Sequence, residues 1–477
     1  MHEDLLQRCV EEALKLGASY AEARFHRHIG SSILSRNGEL LGYGESIREG
    51  VGIRVIADGA LGFSSSNSLG WGALKEAVAE AVKLARAHAK LMKRPIELAE
   101  SRVGKAKYEA LCLKPLDSMG LEEKSAVLAE IWERAKGAVK EARLMTLTAQ
   151  YWEDVEEKTV VNSDGALVAS RVPRVAVGYN FVLLHPQKGT LQRRFEFGGS
   201  GGLEQLERWR PAEHAEEEAA KLERVLLEGA EPPREPVDVI VGSEVVGLIV
   251  HESCGHPSEA DRILGREAAQ AGMSFIKPGM LGQRIGNELA SVIDDPTIPG
   301  SYGFYLYDDE GVPARARYLY KDGVINEHLH NRWTAKLFGV ESNAAARAMD
   351  HSGEPIIRMA NTYFAPGDHT FEELIEGVKL GVYIRSYMEW NIDDVRWGQR
   401  YVGLEAYLIE NGELTKPVRN PVLEITTGAF YSKVDAAGKE VRFYPGTCGK
   451  GEPMQGVPVW FGGPDVRLRS VKLGVVA

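Results

Sequence analysis

The 477-residue sequence has few cysteines, and they lie far apart, at Cys9, Cys112, Cys254 and Cys448. A small secreted scaffold held by disulfides would contain more of them, so the sequence indicates a reducing compartment. Basic residues do not predominate either, because 57 Lys and Arg against 68 Asp and Glu give a formal charge of −11. This charge argues against a protein that binds a nucleic-acid backbone directly.

Long apolar runs are missing as well. The most apolar stretch, residues 237–250, is interrupted by Asp238, Ser243 and Glu244, and it is too short to span a membrane. The N-terminus begins Met-His-Glu-Asp and has neither the basic nor the apolar region of a secretory signal. We therefore expect a cytoplasmic protein that makes no membrane contact.

The chain reads as an α+β protein in two parts. Apolar residues at helical spacing predict helices over residues 5–17, 71–92, 121–142 and 203–227. Alternating segments around Asn37-Gly38 and Asp58-Gly59 predict antiparallel hairpins, and residues 145–184 read as further strands. Strands and helices do not alternate regularly along the sequence, so the sequence does not predict a parallel sheet.

A proline-rich segment, Glu231-Pro232-Pro233-Arg234-Glu235-Pro236, predicts the main boundary. We expect an N-terminal helix-and-antiparallel-sheet domain over residues 1–230 and a β-rich catalytic domain over residues 231–477. The second begins with a strand over residues 237–241, after which Ser243 is a plausible helix N-cap. Pro257 predicts that this helix ends near His256.

The pattern His251-Glu252-x-x-x-His256 could form a zinc site, since imidazoles bind zinc and the adjacent carboxylate can take a proton from bound water. Five residues correspond to about 140° on an α-helix, so a regular helix would not direct both rings at one ion. A π-bulge or an unwound turn at Gly255 and Pro257 would bring them together. Two histidines that merely stabilise a helix end fit the spacing equally well. A pair formed by His251 and Cys254 is a further alternative.

A catalytic zinc needs a third protein ligand. Cys448 lies in a glycine-rich loop that could approach the site, and the neighbouring Lys450 could favour its thiolate form. A surface thiol in a turn is the alternative. A phosphate-binding loop is excluded because Tyr444 and Gly451 stand where its first glycine and its Ser or Thr belong.

Other polar clusters carry weaker hypotheses. His328 and His330 could form a pair of metal ligands, but an exposed polar strand is the preferred interpretation. The same two interpretations apply to His26 and His28. The acidic groups at residues 294–295 and 308–310 favour carboxylates that cap turns over a cation site.

Together these residues resemble the TldD branch of the TldD/PmbA family of zinc metalloproteases. The resemblance extends over nearly the whole chain and is carried by residues 50–56, 62–63, 162–165, 251–261, 308–313, 358–362 and 448–450. It implies that His251, His256 and Cys448 bind Zn²⁺ and that Glu252 is the catalytic base. It also implies cleavage of unfolded or short peptides within a dimer, either homomeric or with a PmbA-like (TldE) subunit.

Glu259 and Asp261 could orient His256 or simply be solvated. Exposed strand edges of the second half could bind an extended substrate. The alternative function is a non-catalytic scaffold or regulatory subunit, since members of this family have been described as modulators of DNA gyrase. A hydrolase acting on other amides or esters would use the same zinc.

Overall fold

The computed structural model describes residues 2–267 and 272–475. It confirms the α+β class, with helices and one large sheet in the first part and short strands predominating in the second. The N-terminal elements are α1 (Glu3–Lys15), β1 (Tyr20–Arg36), β2 (Glu39–Ala57), β3 (Ala60–Ser66), α2 (Trp71–Ala89), β4 (Lys105–Glu109), α3 (Leu121–Ala138), β5 (Arg143–Asn162), β6 (Leu167–His185), β7 (Gly189–Ser200), α4 (Glu204–Trp209) and α5 (Pro211–Glu228).

The C-terminal part starts at the predicted strand, while the boundary at residue 231 stays a prediction. Its helices are α6 (Ser243–Val250), α7 (Ala260–Ile263), α8 (Arg332–Phe338), α9 (Phe371–Glu376) and α10 (Thr427–Lys433). Its strands are β8 (Val237–Val241), β9 (Val292–Asp294), β10 (Arg317–Lys321), β11 (Val324–Ile325), β12 (Ala346–Arg347), β13 (Ile356–Ile357), β14 (Asn361–Phe364), β15 (Leu380–Ile384), β16 (Tyr387–Ile392), β17 (Gly398–Gly403), β18 (Ala406–Glu410), β19 (Glu413–Pro417), β20 (Pro421–Thr426), β21 (Val434–Ala437), β22 (Arg442–Lys450), β23 (Gln455–Gly463), β24 (Val466–Val471) and β25 (Gly474–Val475).

The N-terminal sheet has the strand order β3-β2-β1-β5-β6-β4, and β7 also pairs with β6. Its first two turns are the predicted ones, with positive φ at Asn37, Gly38, Asp58 and Gly59, as two-residue hairpin turns require. Helices α1 and α2 pack against β1 to β3, and α3 and α5 pack against β5 to β7, which gives this sheet two buried clusters.

The single helix predicted over residues 203–227 is wrong in one respect. The structure divides it into α4 and α5 at Arg210, whose backbone is left-handed with φ 49°. Pro211 explains the break, because a proline disfavours helical geometry in the residue before it and opens a helix well as its first residue.

Helix α6 connects the two main C-terminal sheets. One has the order β19-β18-β15-β8-β24-β21, and the other β11-β10-β9-β14-β23-β22. The helix leaves β8 of the first sheet and packs on β14, β22 and β23 of the second. All eight of its residues are buried, which accords with its apolar sequence on every side. No helix within the described ranges combines the length and apolarity needed to cross a membrane.

The start of α6 corrects one expectation. Ser243 is the first helical residue rather than the N-cap, a position that Gly242 occupies. The backbone N–H of Ser243 donates to the Asp465 carboxylate at 2.7 Å, and the Ser243 hydroxyl donates to the carbonyl of Gly463 at 2.6 Å. The capping group is therefore supplied by a residue more than 200 positions away, which short-range sequence patterns do not reveal.

A glycine sets the distance between α6 and β23. A Cβ atom at Gly247 would lie 2.6 Å from the backbone nitrogen and 2.7 Å from the Cα atom of Gly462. Backbone atoms cannot rotate away, so the close approach of helix and strand depends on this residue.

We expect Gly247→Ala to lower the free energy of unfolding by about 1–3 kcal/mol, because the added methyl forces α6 away from β23. Urea unfolding measures the change. Gly72→Ala is the matched control, since Gly72 lies in α2 and a Cβ atom added there would meet nothing within 4 Å. The control should be neutral or slightly stabilising, and equal effects of the two substitutions would contradict the prediction.

Candidate metal centre

Two imidazoles meet at the end of α6. The helix changes at His251 into a π-helical turn over His251–Gly255, in which the backbone N–H of His256 donates to the carbonyl of His251. Because π-helical hydrogen bonds connect residues five apart, this turn brings together two rings that an α-helix would separate. The ring centroids are 4.9 Å apart, with an angle of 81° between the planes.

Local packing explains why the helix widens here. A Cβ atom at Gly255 would lie 1.9 Å from the sulfur of Met359, so Met359 packs where a side chain of residue 255 would stand. The Ser253 hydroxyl donates to the carbonyl of Ile249 at 2.7 Å, and the Tyr320 hydroxyl donates to the carbonyl of Ser253 at 3.2 Å. These two hydroxyls donate to carbonyls along the π-helical turn and keep its buried polar groups paired.

Cys448 on β22 completes a group of three donors. Its sulfur lies 3.5 Å from His256 Nε2, and the donor atoms of His251, His256 and Cys448 all lie within 4.8 Å of one another. A tetrahedral zinc with usual bond lengths would hold its sulfur and nitrogen ligands about 3.6 Å apart. All three residues are buried.

The three donors influence one another's protonation. Burial lowers the pKa of His256 well below its usual value, which favours the neutral imidazole. Burial alone would lower the pKa of His251 as well, but the charge of Cys448 and a hydrogen bond to it raise that pKa above its usual value. Burial alone would raise the pKa of Cys448, but His256, Arg358 and His251 hold it well below its ordinary value and favour the thiolate. Buried His251 Nδ1 has no hydrogen-bond partner among the described residues. Neutral imidazole and thiolate are the forms that bind zinc.

Of the two carboxylates considered for orienting His256, only Glu259 contacts it. Glu259 accepts a hydrogen bond from His256 Nδ1 at 3.0 Å and is paired with Arg262 at 2.6 Å. Asp261 instead binds Lys450, at 2.7 Å. A carboxylate on Nδ1 leaves Nε2 directed at the donor cluster, an arrangement common among metal-binding histidines.

Lys450 is therefore not the cation that faces the sulfur. Arg358 takes that place, since its guanidinium donates to the carbonyl of Cys448 and, at 2.8 Å, to the carbonyl of Gln455. These carbonyls lie on β22 and β23, so Arg358 also joins the two strands beside the thiolate. Its fully buried position was not evident from the sequence.

Glu252 lies beside the donors and is 5 % exposed. Its carboxylate is paired with the guanidinium of Arg396, which comes from the connection between β16 and β17. Sequence analysis missed Arg396, because it is 144 residues away from Glu252 and belongs to no recognisable pattern.

The alternative pair of His251 and Cys254 does not form, since Cys254 faces Ser258 and Tyr320. The expectation of an exposed strand at His328 and His330 is wrong. Both are buried and pack against Phe338, with ring centroids 5.7 and 5.1 Å away.

His26 and His28 form a second donor cluster with Glu156, but its contacts are those of an ion-pair network. The Glu156 carboxylate is bound by His26 at 2.8 Å, Lys158 at 3.1 Å and Arg174 at 2.6 Å. Two cations already neutralise this carboxylate. This cluster joins the N-terminal sheet to the C-terminal part, and we assign it no metal.

His28 is the imidazolium of this network. Its Nδ1 lies 2.8 Å from the Asp154 carboxylate and its Nε2 lies 3.1 Å from the carbonyl of Met349, so both nitrogens donate. Burial alone would lower the pKa of His28, but the hydrogen bond and charge of Asp154 raise it above the usual value. Burial and the charge of His28 lower the pKa of His26 to about 3.

Some of the acidic residues cap turns, as expected, whereas others form buried ion pairs, which the sequence did not predict. Asp294 accepts from Thr362 and Arg317. Asp308 accepts the backbone N–H groups of Glu310 and Val312 at 3.0 and 2.9 Å. Such saturated carboxylates stabilise the fold without requiring a cation.

Models of known protein families match most of the chain. Models of the PmbA/TldA metallopeptidases match three ranges: domain 1 matches residues 21–85, the central domain residues 114–227 and the C-terminal domain residues 234–475.

Curated relatives extend over most of the chain. A metalloprotease of Methanothermobacter thermautotrophicus is 31% identical, covering 95% of this chain and 95% of its own. A zinc metalloprotease TldD homolog of Saccharolobus solfataricus is 33% identical, covering 52% of this chain and 54% of its own. Among solved structures, TldE of Thermococcus kodakarensis has a TM-score of 0.75 at 18% identity, covering 98% of this chain and all of its own, which shows a shared fold.

The His28 network predicts a stability that depends on pH. The pKa of His28 is higher in the folded protein than in the unfolded chain, where it is about 6.5. The imidazolium therefore stabilises the fold fully below the pKa of the unfolded chain, and this contribution is lost as the pH rises through the pKa of the folded protein. We expect His28→Asn to lower the free energy of unfolding more at pH 6 than at pH 9. The two losses should differ by about 1.4 kcal/mol for each pH unit by which folding raises the pKa of His28. Urea unfolding at both pH values measures the difference.

The matched control is His185→Asn, because the ring of His185 meets the backbone N–H of Gln187 rather than a carboxylate. This substitution removes a histidine ring without removing an ion pair, so it should not reproduce the greater loss at pH 6. An equal loss for His28→Asn at both pH values would contradict the ion pair.

Proposed function

This chain belongs to the PmbA/TldA metallopeptidase family, and from that premise we propose that it is a zinc-dependent peptidase that cleaves unfolded or short peptides. The observation that carries the proposal is the convergence of His251, His256 and Cys448 beside the carboxylate of Glu252. Two neutral imidazoles and a thiolate form a zinc ligand set that leaves one position for substrate or water.

In this proposal His251, His256 and Cys448 hold the metal and Glu252 is the general base. Zinc bound there would supply a Lewis acid for the scissile carbonyl and an acidic water. Glu252 takes the proton of the attacking water and returns it to the leaving amine. Glu259 keeps His256 in the orientation that presents Nε2, and Arg358 keeps β22 and β23 together next to the sulfur.

The depth of the centre supports an extended substrate. His251, Glu252, His256 and Cys448 are each between 4 and 6 % exposed, so a folded protein surface cannot reach them. Cys448 lies on β22, the last strand of its sheet. A peptide that adds to this edge would bring its backbone alongside the centre, with hydrogen bonds that do not depend on its side chains.

We further propose that the protein works in the cytoplasm as a dimer, either with itself or with a TldE-like subunit. The likeness to the fold of TldE supports such a pairing of related chains. A Thermotoga maritima protein with the same fold, TM-score 0.78 at 20% identity over 99% of this chain and all of its own, has a proposed role as a modulator of a DNA gyrase. A scaffold role of that kind is the outcome that a protein without metal would favour.

We expect purified protein to contain about one zinc per chain and to cleave unfolded polypeptides, and Glu252→Gln to retain the zinc and lose cleavage. Catalysis by a positioned base contributes about 10²–10⁴-fold, so the loss should be at least 100-fold. Elemental analysis and digestion of a denatured protein measure the two quantities. Glu424→Gln, on the exposed side of β20, is the control that should leave both unchanged. Cleavage by Glu252→Gln at the wild-type rate would reject Glu252 as the base.

We expect Cys448→Ser to weaken zinc binding by more than the roughly 10–100-fold that loss of an outer-shell partner costs, because a hydroxyl is a poor replacement for a thiolate. Competition with a chelator measures the affinity. Cys112→Ser is the matched control, since the Cys112 thiol contacts only the carbonyl of Lys114 among the bonds described for it. Unchanged affinity in Cys448→Ser would remove this residue from the ligand set.

A further inference from the structure

Arg396 is the cation that reaches Glu252. It lies in the connection between β16 and β17, is 7 % exposed, and pairs with a carboxylate that is 5 % exposed. An ion pair this deep interacts more strongly than one in water, because the surroundings screen it less. A guanidinium at this place is therefore part of the electrostatics of the site.

The connection holds Arg396 firmly in place. The backbone N–H of Arg396 donates to the carbonyl of Asp393 at 3.0 Å, and the Thr427 hydroxyl donates to the carbonyl of Arg396 at 2.9 Å. The Asp393 carboxylate accepts from the backbone N–H groups of Trp397 and Gly398 at 2.8 and 2.7 Å. These bonds attach the segment to the start of β17 and to α10.

The backbone of Arg396 is also unusual. Its φ is 67°, in the left-handed region that residues with a Cβ rarely adopt. Such strain persists only where the surroundings fix it. At this position the left-handed turn belongs to the segment that brings the guanidinium to Glu252.

The proposed reaction moves negative charge away from Glu252. When this carboxylate takes the proton of the attacking water, it becomes neutral, and the new carbon–oxygen bond leaves the negative charge on the former carbonyl oxygen. Arg396 then faces an uncharged acid next to a new anion. When the carbon–nitrogen bond breaks, the electron pair leaves with the amine nitrogen, which takes the proton from Glu252, and the carbonyl forms again.

We propose that Arg396 is a catalytic residue, whose guanidinium transfers its hydrogen bond from Glu252 to the oxyanion of the tetrahedral intermediate. The proposal rests on the proposed function and adds a residue to it. A fixed donor directed at the place where charge develops is worth about 10²–10³-fold in rate, because it does not have to be reorganised during the reaction.

The test compares the zinc-loaded full-length protein with R396M, R396K and the control R400M. Arg400 lies on β17 of the same hairpin and pairs with Glu389 on the surface. A fluorogenic peptide cleaved by the wild type gives kcat and KM, elemental analysis gives the zinc content, and calorimetry gives the affinity for a phosphinic analogue of that peptide. The phosphinate presents the charge of the intermediate and requires no turnover.

We expect R396M to lower kcat by about 100-fold or more, with KM within about threefold of the wild type and full zinc content. Its affinity for the phosphinic analogue should fall by a similar factor, since both depend on the same donor. R396K keeps the charge but lacks the forked geometry and should lie between R396M and the wild type. R400M should match the wild type in all measurements.

Three results would overturn the proposal. A rate equal to or above that of the wild type in R396M would show that Arg396 merely blocks the base. Loss of zinc from R396M and R396K alike would show a structural role. Unchanged binding of the phosphinic analogue would place the guanidinium away from the oxyanion. A wild-type protein that binds zinc but cleaves no peptide would instead reject the proposed function, and this inference with it.

Discussion

The structure is organised around one requirement, that two imidazoles five residues apart face the same point. An α-helix cannot meet it, so α6 changes its hydrogen bonding at His251. That change is possible because Gly255 allows Met359 to pack directly against the backbone and because Ser253 and Tyr320 serve carbonyls of the altered stretch. The complete burial of α6 and its glycine contact with β23 then hold the turn beside the strand pair that carries Cys448.

The parts of this arrangement that depend on neighbours in sequence could be predicted from it. The hairpin turns at residues 37–38 and 58–59 follow from local backbone preferences, and the widened turn follows from the spacing of His251 and His256 with Gly255 and Pro257 close by. The fold class follows in the same way. The family resemblance added Cys448, which local reasoning had left as one of several possibilities.

The parts of the site that depend on contacts between distant residues could not be predicted from the sequence. Asp465 caps α6, Arg358 faces the thiolate, and Arg396 pairs with Glu252, and each is brought there by the tertiary fold. Lys450 shows the opposite error, because it lies two residues from Cys448 on the same face of β22 and yet its ammonium is taken by another partner. It binds Asp261 instead. Charged residues of this kind look ordinary in the sequence, since what distinguishes them is burial.

The distance in sequence between His256 and Cys448, 192 positions, affects when the group of three donors can form. During synthesis the histidines leave the ribosome long before the cysteine does, and the strand that carries Cys448 comes only after nearly all other elements of the chain. A nascent or truncated polypeptide that ends before β22 therefore has Glu252 and the two imidazoles but lacks the sulfur. Under the proposed function, a chain that is still being synthesised has no complete metal centre with which to cleave the unfolded proteins around it.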